Sequence, residues 1–170
     1  MMGINKVIRN RGMNDMPKNL TVEQKNILSS MKVGAAFAAD VAHACITMYV
    51  WDDNPKFLYI YHQELPRTQF LGELPDKTGR ELRGNEEPLV QRALQRGVPL
   101  SGKRELSLGL FVDLRVYPIQ DSKGKCFAVV AFDTNEPEEL FIITAVEFLK
   151  NTGRQILSLS LIHISEPTRP

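Results

Sequence analysis

The first long segment of the chain, from Val22 to about Ala44, carries apolar residues at the spacing of a helix that faces a core. Just before it, Thr21-x-x-Gln24 can form a capping box, in which two side chains satisfy free backbone N–H groups at the helix start. The second half, GAAFAADVAHA, has small side chains, so the helix can lie close against a sheet or a second copy of itself. Asp40 and His43 are expected on its more exposed side. The apolar positions are Leu28, Met31, Ala35, Ala38, Ala39 and Ala42.

Two pairs of alternating segments, rich in β-branched and aromatic residues, predict antiparallel hairpins. The first pair is CITMYVW and KFLYIYHQ, joined by the turn-forming DDNP at 52–55. The second pair is LFVDLRVYPIQ and CFAVVAFDT, joined by DSKGK, where Gly124 can adopt the positive φ of a tight turn. A weaker extended segment over Ser101–Leu106 precedes the second pair.

The remaining segments predict a long loop and two more helices. Residues 64–85 are punctuated by proline and glycine and are expected to be irregular. NEEPLVQRALQRG predicts a short helix with Asn85 as its cap and Gly97 as its stop. A final helix is expected from Glu138 to about Leu157. Together these elements predict an α+β domain, an antiparallel sheet with its helices on one side.

Composition and net charge argue against nucleic-acid and membrane binding but do not indicate a specific function. The 170 residues carry a formal net charge of +1, so no overall field would draw the chain to nucleic acid or to an anionic membrane. Neither a signal peptide nor an apolar run of about 18 residues is visible, which predicts a cytoplasmic protein without membrane contact. Cys45 and Cys126 lie far apart in apolar segments and are expected to be buried reduced thiols.

A few polar and aromatic side chains are candidates for ligand binding. His62 lies in an aromatic strand, where it is either a hydrogen-bonded structural residue or a ligand contact. Arg115 alternates with Asp113 and Tyr117, and is either part of a charge pair or a contact to an anionic ligand on the sheet. The aromatic residues either line a pocket between the sheet and the 64–85 loop or form the core face of the sheet. The predicted ligand-binding residues are Tyr49, Tyr59, Tyr61, His62, Arg115 and Tyr117.

Signatures of enzyme chemistry are missing from the sequence. Gly97 and Gly102 precede Lys103, but their spacing does not form a phosphate-binding loop. His43 and Cys45 have no second pair of ligands at zinc-finger spacing, and no G-x-S-x-G elbow occurs. The sequence therefore predicts no catalytic residue, metal or cofactor in this chain, and a stand-alone small enzyme is the least supported class.

Several local segments together carry a family resemblance. Ala39–Ala44 and Ile46–Val50 match a helix-to-strand entry, Pro88–Gly97 matches a PLV..AL..G segment, and residues 118–135 match a PI…G…AV…TN hairpin. Pro66-Arg67-Thr68 echoes a Pro-Thr segment but departs from it, so no role is transferred. Over roughly residues 22–150 the chain thus resembles the N-terminal GAF-like sensor domain of two-component histidine kinases of the PdtaS type. These are scaffold motifs, and none is a catalytic signature. The resemblance implies a GAF/PAS-like α+β fold, in which N- and C-terminal helices flank an antiparallel sheet.

The resemblance implies a sensory piece of a longer signalling protein. In such kinases a PAS domain, a phosphoacceptor-histidine helix and an ATP-binding domain follow, so ATP, Mg²⁺ and a response-regulator partner are expected only for the parent kinase. It also implies a small-molecule ligand, a homodimer formed through the terminal helices, and a relay through the last helix. The alternative is a GAF-like sensory module of a transcriptional regulator or of a cyclic-dinucleotide signalling protein, because one scaffold serves many functions.

The end of the chain has a different character. LSLIHISEPTRP, residues 159–170, is similar to the translated read-through of a transposase adapter used to prepare sequencing libraries. We therefore expect a flexible N-terminus over 1–20, a sensor domain over 21–157 and a non-native tail over 158–170. On this interpretation the chain is the front end of a longer protein.

Overall fold

The computed structural model describes residues 19–51, 57–66, 77–107 and 109–134. They form two α-helices, α1 (Val22–Ala42) and α2 (Pro88–Arg96), and a 3-10 turn at Gly84–Glu86. The strands are β1 (Ala44–Trp51), β2 (Phe57–Glu64), β3 (Glu81–Arg83), β4 (Leu100–Ser107), β5 (Leu110–Gln120) and β6 (Cys126–Thr134). The predicted DDNP turn, the C-terminal helix and the tail lie outside the described residues.

The six strands make one antiparallel sheet in the order β3-β2-β1-β6-β5-β4. β1 and β6 are neighbours at its centre although they are far apart in sequence, and each is also hydrogen-bonded to the strand next to it in the chain. The predicted α+β fold is therefore confirmed, and both predicted hairpin pairings are present in it. β3 was not predicted; this three-residue strand lies within the stretch expected to be irregular and pairs with β2 at the sheet edge.

Helix α1 begins and ends where local chemistry requires it. The Gln24 backbone N–H donates to the Thr21 hydroxyl at 3.1 Å and the Thr21 N–H donates to the Gln24 side chain at 2.9 Å, so the predicted capping box is present. His43 closes the helix in the left-handed region, at φ 49° and ψ 48°. The small side chains face the sheet, which lets α1 lie close to it, while Val33 and Phe37 are exposed on the outer face.

The two helices lie on opposite faces of the sheet, and the prediction that they share one side is wrong. The first core packs α1 against one face of β1, β5 and β6, through residues such as Ile46, Tyr117 and Phe132. The second core packs α2 against the other face, through residues such as Leu114 and Val129. Alternation along each central strand divides its side chains between the two cores.

Helix α2 starts later than predicted. Asn85 lies in the 3-10 turn, and Glu87 occupies the N-cap position without a side-chain capping bond. Pro88 follows at the first helical position, where its missing N–H costs nothing because that group would have no helical partner. The predicted stop at Gly97 is confirmed, with φ 69° and its N–H donating to the Ala93 carbonyl.

The start of α1 and the backbone of the β5–β6 turn are both hydrogen-bonded to the buried carboxylate of Asp121. The Gln24 amide donates to Asp121 Oδ2 at 3.0 Å, and the N–H groups of Lys123 and Lys125 donate to Oδ1 at 2.9 Å each. Burial raises the pKa of Asp121, but these donors together lower it by more, so that it lies below its ordinary value. Gly124 takes the predicted positive φ, 83°, in the turn.

Replacing Gln24 with alanine removes two of these bonds together, one to the capping residue and one to Asp121. Because Asp121 and Gln24 are buried, we expect Gln24→Ala to lower the free energy of unfolding by about 1–3 kcal/mol. Urea unfolding followed by circular dichroism measures the change. Lys25→Ala at the neighbouring, exposed position of the same helix is the control and is expected within about 0.5 kcal/mol of wild type. Equal effects of the two substitutions would contradict the coupling.

Candidate functional site

A group of buried and half-buried polar side chains lies on the sheet face that α2 covers. We call it the polar cluster; its members come from β1, β2, β4, β6 and the residue before α2. Strand pairing explains the common face, because Asp133 lies opposite both Cys45 and Leu114, and Leu114 belongs to the α2 core. The members are Cys45, Thr47, Gln63, Glu87, Arg104 and Asp133.

Arg104 is the centre of the charged half of the cluster. Its Nη1 and Nη2 donate to the two oxygens of Glu87 at 3.0 and 2.8 Å, a two-point contact. Its Nε donates to Asp133 Oδ1 at 2.6 Å. One guanidinium therefore holds two carboxylates, and it reaches from the edge strand β4 across β5 to β6.

The neutral half of the cluster surrounds Gln63. The Gln63 amide donates to Thr47 Oγ1 at 3.3 Å and lies 3.7 Å from Cys45 Sγ. Its Oε1 accepts the Lys77 N–H at 2.9 Å, which connects the end of β2 to the chain entering β3. The cluster thus offers a thiol, a hydroxyl and an amide beside the ion pairs.

Burial dominates the electrostatics of this face. Burial alone would lower the pKa of Arg104, but its hydrogen bonds to Glu87 and the charges of both carboxylates raise it above the ordinary value. Burial raises the pKa of Asp133 against the opposing effect of Arg104. Burial likewise raises the pKa of Cys45 to about 12 and shifts that of Tyr49 upward. Arg104 remains charged, while Cys45 stays a thiol and Tyr49 a phenol at neutral pH.

This chemistry suits binding better than catalysis. A buried protonated thiol is a poor nucleophile, and the cluster has no histidine that could act as its base. Within the described parts of the chain, no three histidine, cysteine or acidic side chains come together as a metal site. Arg104, the hydroxyl and the amide are groups that orient a polar ligand against an apolar wall.

The residues predicted from sequence are divided between the two faces. Tyr49 lies on the α2 face with the polar cluster, whereas the other five lie on the α1 face by strand register. The β1–β2 register shifts so that Met48 pairs with His62 and Tyr49 with Ile60, leaving Tyr61 as a bulge. The five residues on the α1 face are Tyr59, Tyr61, His62, Arg115 and Tyr117.

Each of the polar candidates on the α1 face has a local contact. His62 Nε2 lies 2.7 Å from Glu64 Oε2, and Lys32 Nζ lies 5.9 Å from the centre of the Tyr61 ring. Arg115 Nη2 lies 3.8 Å from Asp113 Oδ2, as in a charge pair at the sheet. Tyr117 packs edge-on against Phe132 with ring centres 5.8 Å apart. A ligand role for these residues stays a prediction, and residues 67–76 of the loop expected to cover them lie outside the described residues.

Sequence reasoning missed the charged residues that the fold brings together. Glu87, Arg104 and Asp133 are separated by long stretches of chain and match no spacing motif. One signal was present: Asp133 is an acid in the otherwise apolar strand CFAVVAFDT, and a buried acid needs a cationic or hydrogen-bonding partner. The sequence does not say which of the 21 lysines and arginines supplies it.

Comparison with known families and structures gives a consistent assignment. The family model described as "Histidine kinase PdtaS, GAF domain" matches residues 16–140. No curated protein matches the chain. A solved structure described as the sensor region of a sensor histidine kinase is 16% identical, with a TM-score of 0.58, covering 88% of this chain and 51% of its own. This chain therefore spans about half the length of that sensor region.

A second solved structure shares the fold. It is an IclR transcriptional regulator from Alicyclobacillus acidocaldarius, 10% identical with a TM-score of 0.53, covering 84% of this chain and 69% of its own. At these identities the likeness to both structures concerns the fold alone. Among the described residues, no helix combines the length and apolar character needed to span a membrane.

The raised pKa of Cys45 predicts that its thiol resists modification in the native protein. At pH 8 a pKa of about 12 leaves roughly one thiolate in ten thousand. In a Cys126→Ser variant, Ellman's reagent should label Cys45 only as the protein unfolds, whereas Cys45→Ser leaves the half-buried Cys126 to react faster. Labelling of native Cys45 at the rate of the denatured chain would contradict its burial.

Proposed function

We propose that this chain is the signal-sensing module of a two-component sensor histidine kinase. The premise is its family: the chain belongs to the GAF domains of the histidine kinase PdtaS. The observation that carries the proposal is the family match over residues 16–140, which includes both cores and the polar cluster. The fold likeness to a histidine kinase sensor region supports it. ATP, Mg²⁺ and a response regulator would belong to the kinase part of the parent protein, which we place in the cytoplasm.

The signal is a small molecule in this proposal, and the end of β6 is where binding couples to output. Asp133 faces the polar cluster, whereas its neighbour Thr134 faces α1. The Thr134 hydroxyl lies 3.3 Å from the carbonyls of both Ala42 and His43, where it can donate to either, so the end of β6 is tied to the end of α1. A change at Asp133 therefore reaches the position from which the chain continues toward the expected C-terminal helix, and that helix relays it.

Homodimerisation is proposed through the outer face of α1. Val33, Phe37 and Val41 follow one another at i, i+4 spacing and are 85%, 76% and 45% exposed. An apolar stripe on an exposed helix face is typical of an interaction site. A second copy presenting the same stripe would cover it, as in a symmetric helix pair.

A sensory module of a transcriptional regulator is the second candidate. It is favoured by the fold likeness to an IclR regulator. The family match is to a kinase GAF domain instead, which is why the kinase is proposed first. The sheet face with the polar cluster and the apolar stripe on α1 would have the same roles in either parent protein.

Placing a charge in the α1 stripe should disrupt the dimer. We expect wild type to sediment as a dimer and Phe37→Glu to sediment as a monomer, because a buried unpaired carboxylate at the interface is costly. Phe111→Glu, the same change at an aromatic that is 54% exposed on β5, is the matched control and should remain dimeric. Sedimentation velocity at several concentrations makes the comparison; identical behaviour of the two variants would exclude this interface.

The helical relay is testable in a chimera with residues 1–157 placed ahead of the PAS and kinase regions of a PdtaS-type kinase. In the expected C-terminal helix, inserting two residues after Lys150 turns the part that follows by about 200°, whereas inserting seven returns it to within about 20° of its phase. We expect the first insertion to change the autophosphorylation rate several-fold and the second to preserve it. The relay is refuted if both insertions leave the rate of the parent chimera unchanged.

A further inference from the structure

Glu87 occupies the N-cap position of α2 but does not cap it. Its backbone has φ −134° and ψ 72°, and its side chain makes no hydrogen bond to the helix. Both carboxylate oxygens accept instead from Arg104, at 2.8 and 3.0 Å. This two-point geometry is the one by which arginine recognises carboxylate and phosphate groups in general.

The two carboxylates on Arg104 differ in depth. The side chain of Asp133 is 6% exposed and accepts from Nε, on the inner side of the guanidinium. Glu87 is 13% exposed and Arg104 is 24% exposed, so the two-point contact lies on the side nearer solvent. Asp133 thus fixes the orientation of Arg104, while Glu87 fills the position that an incoming group would reach.

Charge balance permits Glu87 to be exchanged for another anion. Glu87 by itself already balances the charge of Arg104, and Asp133 accepts from the same guanidinium, so an additional anion would find no unbalanced positive charge there. An oxyanion that takes the place of Glu87 adds no further negative contact to Arg104. Gln63, Thr47 and Tyr49 on the same face provide neutral donors and acceptors for the rest of a ligand.

Release of Glu87 would act on α2. Glu87 is the residue directly before the helix, and its bond to Arg104 ties the helix start to β4. The helix also lies close to this strand, since a Cβ added at Gly102 would be 3.3 Å from Leu89. Exchange at Arg104 therefore changes what holds the start of α2 against the sheet.

We propose that Arg104 is the receptor for a ligand oxyanion, a carboxylate or a phosphate, and that Glu87 fills this receptor internally until the ligand displaces it. The proposal rests on the sensory function proposed above and names the ligand class of the same face. The apparent affinity for such a ligand is lowered by the fraction of time that Glu87 is bound. Binding frees the start of α2.

The test uses the full chain with inorganic phosphate and acetate as separate probes, so that the two oxyanion types are distinguished by titration calorimetry. Glu87→Gln and Glu87→Ser both remove the internal anion, and the serine can cap α2 in addition. At least one of the two probes should bind each variant at least about tenfold more tightly than wild type. Combining either variant with Arg104→Lys, which keeps the positive charge but loses the two-point contact, should abolish the gain in probe affinity.

Glu86→Gln is the matched control, because Glu86 is exposed and accepts from the Arg83 N–H and from Arg80 rather than from Arg104. It should leave the affinity for both probes at the wild-type value. In wild type, a saturating probe should also speed hydrogen exchange in the first turn of α2. Thermal unfolding of each variant verifies that it is folded, and the two Glu87 variants serve as independent tests.

The proposal is overturned if neither Glu87 variant binds phosphate or acetate more tightly than wild type, or if Arg104→Lys leaves the gain intact. Failure here is separable from failure of the sensory function. The helix insertions in the chimera test the relay whatever the ligand is, whereas these titrations test Arg104 whatever the output is.

Discussion

The pairing of β1 with β6 at the centre of the sheet is the constraint on which the rest of the structure depends. Each strand is buried on both faces, so alternation assigns every residue of the pair to one of two cores. α1 and α2 must then cover opposite faces, because each central strand has apolar side chains on both. Adjacent residues such as Asp133 and Thr134 consequently lie on different faces, so the polar cluster and the anchor of α1 are one residue apart.

The same constraint creates the polar cluster. Cys45, Thr47 and Asp133 lie in the central pair but face the α2 core, where an ionised carboxylate is costly unless it is paired. Arg104 supplies the pairing from the edge strand. A buried ion pair of this kind contributes little net stability compared with an apolar replacement, since desolvation offsets the attraction. Its geometric consequence here is that the orientation of one guanidinium is fixed.

Local features of the fold could be predicted from sequence because local chemistry determines them. The capping box at Thr21 and the turn at Gly124 depend on residues a few positions apart, and both predictions were confirmed. The sides of the sheet could not be assigned, because alternation shows that a strand has two faces but not which helix covers each. The bulge at Tyr61 adds a second difficulty: it shifts the register of β2, so face assignments made by counting along the strand fail beyond it. Arg104 and Asp133 meet through the β4–β5–β6 register, and Glu87 joins them through the packing of α2, so no local signal encodes that meeting.

The anchoring of the two helices indicates which of them can respond to a ligand. α1 is held at its start by Gln24 on Asp121, at its end by Thr134, and along its length by close packing of small side chains. It is therefore expected to move with the sheet as one body. α2 is only nine residues long, has no side-chain cap, and is tied at its start through one carboxylate. A ligand bound on the α2 face would contact α2, the helix with fewer attachments, directly. In the proposed relay, its effect would pass through Asp133 and the end of β6 before it reaches α1.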